Sequence, residues 1–188
     1  MPPSEQLEYQ KNAIRDLIAN TAADQMDAKT PCSKWTARDL INHMVGGGTM
    51  FGAALKGDAI EMDFDAPMPD LLGDDPVAAW DGAVQAFTDG VDSPGALERN
   101  VTLPFATLPG SVVLELAKFD LLVHAWDLAQ ATNQKFDPPA DVVEPAIGAA
   151  QMIIAPEARD GDTFGAEVTP SADATPIQRL VAFTGRAV

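Results

Sequence analysis

An all-α fold, a four-helix bundle with a short extra helix and an irregular C-terminal tail, is the class that this sequence of 188 residues predicts. Four long segments carry apolar residues at the three- and four-residue spacing of one helix face. The only extended stretch, residues 100–105, is too short for more than a hairpin. With 46% hydrophobic residues the chain can bury one core. We expect a single domain over residues 1–188, with the bundle at about 4–132 and an appendage at about 138–188.

The four predicted helices of the bundle differ in how clearly the sequence marks their ends. They extend from Ser4 to about Met26, from Thr36 or Ala37 to about Leu55, from Pro76 to Val91, and from Ser111 to about Asn133. Thr36 and Asp39 fit a capping box, Pro76 suits a first helical turn, and Ser111 is a plausible N-cap. We expect up-down-up-down order, with a crossover connection as the alternative.

Beyond the fourth helix the sequence predicts less regular structure. Residues 138–154 form a shorter helix behind two prolines. The tail after Pro156 is polar and irregular as far as residues 177–183, whose apolar side chains are expected to pack back onto the bundle.

Charge and composition exclude several kinds of partner. The formal net charge is -16 and the pI about 4.2, so the surface repels nucleic acids and anionic membranes. The single cysteine, Cys32, cannot form an internal disulfide, and the first ten residues lack the basic and apolar regions of an export signal. No apolar run approaches the roughly 20 residues of a membrane helix. We therefore expect a soluble, cytoplasmic protein.

Two histidines and one aspartate are the candidates for a functional site. His43 and His124, the only histidines, both lie well inside predicted helices, and Asp120 lies about 40° from His124 on the helical wheel. All three share faces with apolar or small residues, so they are expected to be buried. A buried carboxylate needs a cation, hydrogen bonds or a proton. A divalent metal ion satisfies all three groups; an ordinary i,i+4 pair, with His43 bonded to a carbonyl, is the alternative.

Two segments of the chain resemble a known family. They are TPCSKWTARDLINHMVGG (residues 30–47) and DLLVHAWDLAQATNQ (residues 120–134). Both are similar to motifs of the mycothiol-dependent maleylpyruvate isomerase group, which belongs to the DinB-like superfamily. The ending, with Phe164-Gly165 and residues 183–186, resembles the actinobacterial members of this group. The resemblance implies a DinB-like four-helix bundle in which His43, Asp120 and His124 bind a divalent ion, often zinc.

Three protein ligands leave a coordination position open for water or substrate, which favours chemistry over a structural role. Nickel and iron stay open as alternatives to zinc, because two histidines and a carboxylate also form an iron site. The ion could activate a water or a low-molecular-weight thiol, and the resemblance favours mycothiol. We expect a thiol-dependent transferase or isomerase-like enzyme acting on a small electrophile. A non-catalytic metal- or ligand-binding bundle, structural or sensory, is the alternative. Analogy suggests a homodimer.

Other residues near the candidate ligands have less specific interpretations. Asp127 lies about 60° from His124 on the wheel and could orient that histidine from behind; a cap, or a salt bridge to Arg38 or Lys118, is equally open. Cys32 is expected to pack rather than to act as a nucleophile or ligand. Residues 56–75, rich in Gly, Pro and Asp, are expected to form a long connection that partly covers the site.

Two features differ from the isomerase that the motifs resemble. The isomerase has glutamate at the position of Asp120, and it carries a further C-terminal domain that we do not expect in this chain. The resemblance therefore implies the fold and the metal site, rather than maleylpyruvate isomerisation itself.

Overall fold

The computed structural model describes residues 3–61, 66, 68–159, 161 and 163–188. The helices in these residues are α1 (Pro3–Ala19), α2 (Ala37–Lys56), α3 (Pro76–Val91), α4 (Gly110–Ala131), α5 (Ala140–Ile153) and α6 (Pro176–Phe183). Strands β1 (Asn100–Leu103) and β2 (Ala106–Pro109) pair as one antiparallel hairpin. The predicted all-α class, with its extra helix and hairpin, is confirmed.

Helices α1 to α4 form the bundle. The principal neighbours of α1 are α3 and α4, and those of α2 are also α3 and α4. Around the bundle the order is therefore α1, α3, α2, α4, and α1 lies diagonally opposite α2. The connections formed by residues 20–36 and 92–109 each run between diagonal helices, which corresponds to the crossover alternative. The division into one domain with a core and an appendage stays a prediction.

Helices α2 and α3 approach each other unusually closely, and glycines permit this. A Cβ atom at Gly52 would lie 2.4 Å from the carbonyl oxygen of Ala86, and one at Gly90 would lie 2.4 Å from the carbonyl oxygen of Gly52. At Gly48 a Cβ would lie 3.3 Å from the side chain of Ala83. Gly48 thus lies in the contact between the two helices, and their closest approach, at Gly52, lies one turn further on.

Several helix ends differ from the sequence prediction. Helix α1 ends at Ala19 instead of near Met26, because the N–H of Thr21 donates to the carbonyl of Ile18 and the chain tightens into a turn. Helix α4 begins at Gly110, so Ser111 lies inside it and is not its N-cap. The predicted capping box of α2 is present, with Thr36 and Asp39 each accepting from the other's backbone N–H.

The appendage after α4 packs on the outer side of that helix. Side chains of α4, α5 and α6 share one apolar cluster. Helix α6 begins with a second capping box, between Thr175 and Gln178, which the sequence analysis did not identify. No helix among the described residues has the length and apolar character needed to cross a membrane.

The chain ends in a tightly held segment beside α4. Gly185 has a φ of 93°, and a Cβ there would lie 2.5 Å from Cα of Gly165. The N–H of Gly165 donates to the carbonyl of Thr184, while Arg159 donates to the carbonyls of Gly165 and Phe183. This crossing directs the next residue, Arg186, back towards the bundle.

Candidate metal centre

The three side chains expected to bind a metal ion lie together between α2 and α4. Nε2 of His43 lies 3.5 Å from Oδ2 of Asp120, and Nε2 of His124 lies 3.4 Å from Oδ1 of the same carboxylate. One donor atom from each residue lies within 4.8 Å of the others. The fold thus brings together residues 77 positions apart, although their role as ligands stays a prediction.

The site is less buried than the helical faces predicted. The side chains of His43 and Asp120 are 26% and 30% exposed, whereas that of His124 is 10% exposed. The expectation that all three side chains are buried was wrong for His43 and Asp120, because these two border a pocket of about 220 Å³. The pocket is lined by residues 32–35, His43, Phe119, Asp120, Val123, His124, Thr163, Phe164 and Arg186.

Trp35 forms one wall of the site. Its ring centroid lies 4.6 Å from that of His43 and 5.7 Å from that of His124, and the two imidazoles lie 4.8 Å apart in a T-shaped arrangement. The ring of Trp35 therefore restricts the orientation of both imidazoles.

The polar atoms of this group are incompletely satisfied by the protein. Nε2 of His43 is buried and forms no hydrogen bond with any described residue. Its nearest charged partner, Asp120 at 3.5 Å, lies outside hydrogen-bond geometry. A buried polar atom without a partner is costly. Two imidazole nitrogens and a carboxylate oxygen form a common ligand set for Zn²⁺, so the residues present fit a divalent ion.

Electrostatic interactions within the group shift two pKa values. Burial by itself raises the pKa of Asp120, but electrostatic interactions with His124 and then with His43 outweigh it, and the net pKa lies far below the ordinary value. Burial by itself lowers the pKa of His124, but Asp120, then Asp127, outweigh it, so the net pKa lies above the ordinary value. In the absence of an ion, both shifts favour the charged forms of these two side chains.

Asp127 lies directly behind His124. Its Oδ2 is 3.2 Å from Nδ1 of His124, and its side chain is fully buried. Arg186 donates to both carboxylate oxygens, at 3.2 and 2.8 Å. Burial raises the pKa of Asp127, but His124 and Arg186 outweigh it, and the net pKa is lowered. The alternative salt bridges are wrong, since Arg38 pairs with Asp70 and Lys118 with Glu115.

Cys32 and Arg186 are the residues of this centre that the sequence analysis did not assign to it. The thiol of Cys32 lies 3.2 Å from Oδ2 of Asp127 and 3.8 Å from Nδ1 of His124. Arg186 reaches the same thiol at 3.4 Å. Cys32 lies inside the first family-like segment, residues 30–47, and this position could have indicated a place near the site. For Arg186 the sequence offered only the family-like ending, residues 183–186.

The cover over the pocket comes from other segments than expected. Residues 56–75 were predicted to cover the site, yet none of their described members lines the pocket. Asn42 instead ties this connection to α2, donating to the carbonyl of Pro69 and accepting from the N–H of Leu71. Residues 62–65 and 67 lie outside the described residues. The loop before α2 and the C-terminal segment cover the pocket.

The fold and the convergent donor atoms define a helical bundle with a candidate divalent-metal site. The family model described as mycothiol maleylpyruvate isomerase N-terminal domain matches residues 7–129, and the chain belongs to this family. Two uncharacterized proteins from two strains of Mycobacterium tuberculosis are each 35% identical over 179 residues, which is 95% of this chain and 94% of theirs. No solved structure matches the chain significantly.

Proposed function

We propose that this protein binds one divalent ion, Zn²⁺ in the first place, through Nε2 of His43, the carboxylate of Asp120 and Nε2 of His124. We further propose that it is a metal-dependent enzyme that uses a low-molecular-weight thiol such as mycothiol, with thiol-transferase or isomerase-like chemistry. The observation that carries the proposal is the meeting of these three donor atoms at an open pocket. The family match supports the thiol.

Asp127 sets the tautomer of His124 in this proposal. Its buried carboxylate can only accept hydrogen bonds when ionised, so it favours the proton on Nδ1. Nε2 then presents its lone pair to Asp120 and His43. A carboxylate behind a ligand histidine both orients the ring and raises its basicity. The preorganised donor is thus Nε2, the nitrogen that faces the pocket.

The pocket gives the proposed centre its open position. With three protein ligands, at least one coordination position remains for an exogenous molecule. The pocket volume of about 220 Å³ accommodates a small ligand and part of a larger one. Phe119, Phe164 and Trp35 supply apolar walls, which exclude water and strengthen the electrostatic interactions beside the ligands. When bound, a divalent ion lowers the pKa of a coordinated thiol or water and so supplies a nucleophile at neutral pH.

The rival is a structural or sensory metal site without catalysis. A structural zinc site is normally closed by four protein ligands. Cys32 is the fourth potential ligand nearest to the three, but its thiol faces Nδ1 of His124, on the side of the ring opposite to Nε2. The proposed ligands therefore stay three, and the open site favours the enzyme.

Spectroscopy of the cobalt-substituted protein tests the proposal. Mycothiol added to it should give a sulfur-to-cobalt charge-transfer band and change the d–d bands, because the thiolate occupies the open position. The variant H124A should show neither cobalt spectrum nor response. The variant D89A, which removes an acidic residue of α3 outside the pocket, should behave as the wild type. An unchanged spectrum with mycothiol and with cysteine would contradict the thiol-dependent function.

A further inference from the structure

A second set of potential metal ligands lies behind His124. It consists of Sγ of Cys32, a carboxylate oxygen of Asp127 and Nδ1 of His124, which all lie within 4.8 Å of one another. The separations are 3.2 Å between Sγ and Oδ2 of Asp127, and 3.2 Å between that oxygen and Nδ1. The two sets share the ring of His124, one through each nitrogen.

The two sets compete for one ion. A neutral imidazole has one proton and one lone pair, so it offers either Nε2 to the first set or Nδ1 to the second. A thiolate is a strong, soft ligand for Zn²⁺ and softer ions. By donor chemistry alone, the set containing Cys32 is at least as good a site as the set containing His43 and Asp120. Another feature must decide between them.

Arg186 lies against two of the three donor atoms of the second set. Its guanidinium lies 2.8 Å from Oδ2 of Asp127 and 3.4 Å from Sγ of Cys32. The side chain is only 10% exposed, and Asp127 is fully buried. A guanidinium keeps its charge at all relevant pH values and cannot act as a ligand. It therefore neutralises Asp127 and repels a second cation.

The C-terminal segment fixes Arg186 in this position. Where Gly185 crosses Gly165 there is no room for a Cβ atom on Gly185, so the backbone before Arg186 has little freedom. Nη1 of Arg186 also donates to Oγ1 of Thr184, which is itself buried. The appendage thus carries Arg186, and the guanidinium is held both by Thr184 of the appendage and by Asp127 of the bundle.

We propose that Arg186 is the residue that selects the metal site: it excludes ions from Cys32, Asp127 and Nδ1 of His124, and so directs one ion to His43, Asp120 and Nε2. This inference rests on the proposed function, since it assumes that an ion binds. Its consequence is a preference for borderline over soft ions, because the only thiol of the protein is kept out of the coordination sphere.

The test compares the wild type with R186Q, which keeps a hydrogen-bond donor but loses the charge. With Co²⁺ or Cd²⁺ alone, the wild type should bind one ion without a sulfur-to-metal charge-transfer band. R186Q should also bind one ion but gain this band, and R186Q/C32S should lose it again. The affinity of R186Q for Zn²⁺ relative to Cd²⁺ should fall, because Cd²⁺ is the softer ion and gains more from the thiolate of Cys32.

R159Q is the matched control. Arg159 holds the same C-terminal segment through the carbonyls of Gly165 and Phe183 but contacts none of the six potential ligand atoms. R159Q should show no sulfur-to-metal charge-transfer band. Such a band would overturn the inference, because loosening the C-terminal segment would then be enough to let an ion bind at Cys32. R186K restores the charge and should return the wild-type spectrum. A spectrum of R186Q equal to that of the wild type overturns the inference while leaving the proposed function intact.

Folding of R186Q provides a second measurement, since Asp127 loses its buried cation. If R186Q is unfolded alone, refolding with Cd²⁺ should restore its helical circular dichroism, because the ion replaces the missing charge. R186Q/C32S should not recover in this way. Failure of Cd²⁺ to restore R186Q would overturn the inference. A wild type that binds no ion would instead overturn the proposed function.

Discussion

Nδ1 of His124 lies 3.2 Å from Oδ2 of Asp127 on the same helix, while Nε2 of the ring faces the opposite way, towards the pocket. The imidazole of His124 therefore has different surroundings on its two sides. Behind it are a buried carboxylate and a guanidinium, and in front of it are the carboxylate of Asp120 and the ring of His43. The charges behind the ring therefore determine whether Nε2, the nitrogen that faces the pocket, has a free lone pair.

Removing Asp127 should destabilise the protein more than removing an exposed acidic residue. D127A leaves the guanidinium of Arg186 largely buried and unpaired, and breaking such a pair costs about 3 to 5 kcal/mol of unfolding free energy. D89A removes the partner of Lys56 in a pair that is 40% and 49% exposed, so about 1 kcal/mol or less is expected. Urea denaturation measures both. Equal losses would contradict the account.

Metal binding should release protons near pH 7. The pKa of His124 in the ion-free protein lies above its ordinary value, so the ring carries a proton that an ion must displace. Affinity should thus weaken as the pH falls. Calorimetry of Zn²⁺ binding in buffers with different heats of ionisation measures the release. Binding heats that do not depend on the buffer at pH 7 would contradict this charge state.

The same shift predicts the pH dependence of the ion-free fold. Because the folded pKa of His124 is raised, its contribution to stability is complete below the unfolded value of about 6.5 and is lost as the pH rises through the folded pKa. In H124A this loss should be absent. Denaturation of both proteins without metal, at a series of pH values above about 6.5, measures the difference. If the free energy of unfolding changes with pH in the same way in both proteins, the pKa of His124 is not raised.

Alanine at two glycines of α2 should have opposite effects. In G52A the new Cβ meets the carbonyl oxygen of Ala86 at 2.4 Å, so α2 and α3 must separate, at a cost of about 1 to 3 kcal/mol. In G47A the nearest atom is 4.0 Å away, in the ring of Phe51, and the gain in helix propensity should stabilise by about 0.5 to 1 kcal/mol. Thermal unfolding distinguishes the signs. Similar destabilisation of both would contradict the observed helix crossing.

The main helices and the meeting of three side chains could be predicted because their causes are local. The apolar periodicity of α2 indicates the face that it buries, and His43 lies beside that face. Helix α4 is instead buried on nearly all sides over residues 117–129, so Asp120 and His124 come together through their four-residue spacing. The end of α1 was placed too late, since Thr21 continues the apolar spacing although the backbone has already turned at Ile18. Apolar periodicity indicates which face of a helix is buried. It does not indicate the residue at which the helical hydrogen bonds end.

The position of Arg186 could not be predicted from local patterns. It lies 59 residues from Asp127 in sequence, and their contact depends on the crossing of Gly165 and Gly185. Neither the charge of Arg186 nor its neighbours in sequence indicate a buried pair. The pocket was missed for a similar reason, because two of its walls come from the segments around Cys32 and Phe164, outside the bundle helices.

The metal content of the protein and of two variants tests the central claim most directly. After reconstitution with Zn²⁺ and removal of excess ion, the wild type should retain one equivalent, and H43A and H124A should each retain almost none while keeping most of their helical circular dichroism, because the apolar faces of α2 and α4 remain. A wild type that retains no zinc, or an H124A variant that retains a full equivalent, would contradict the account.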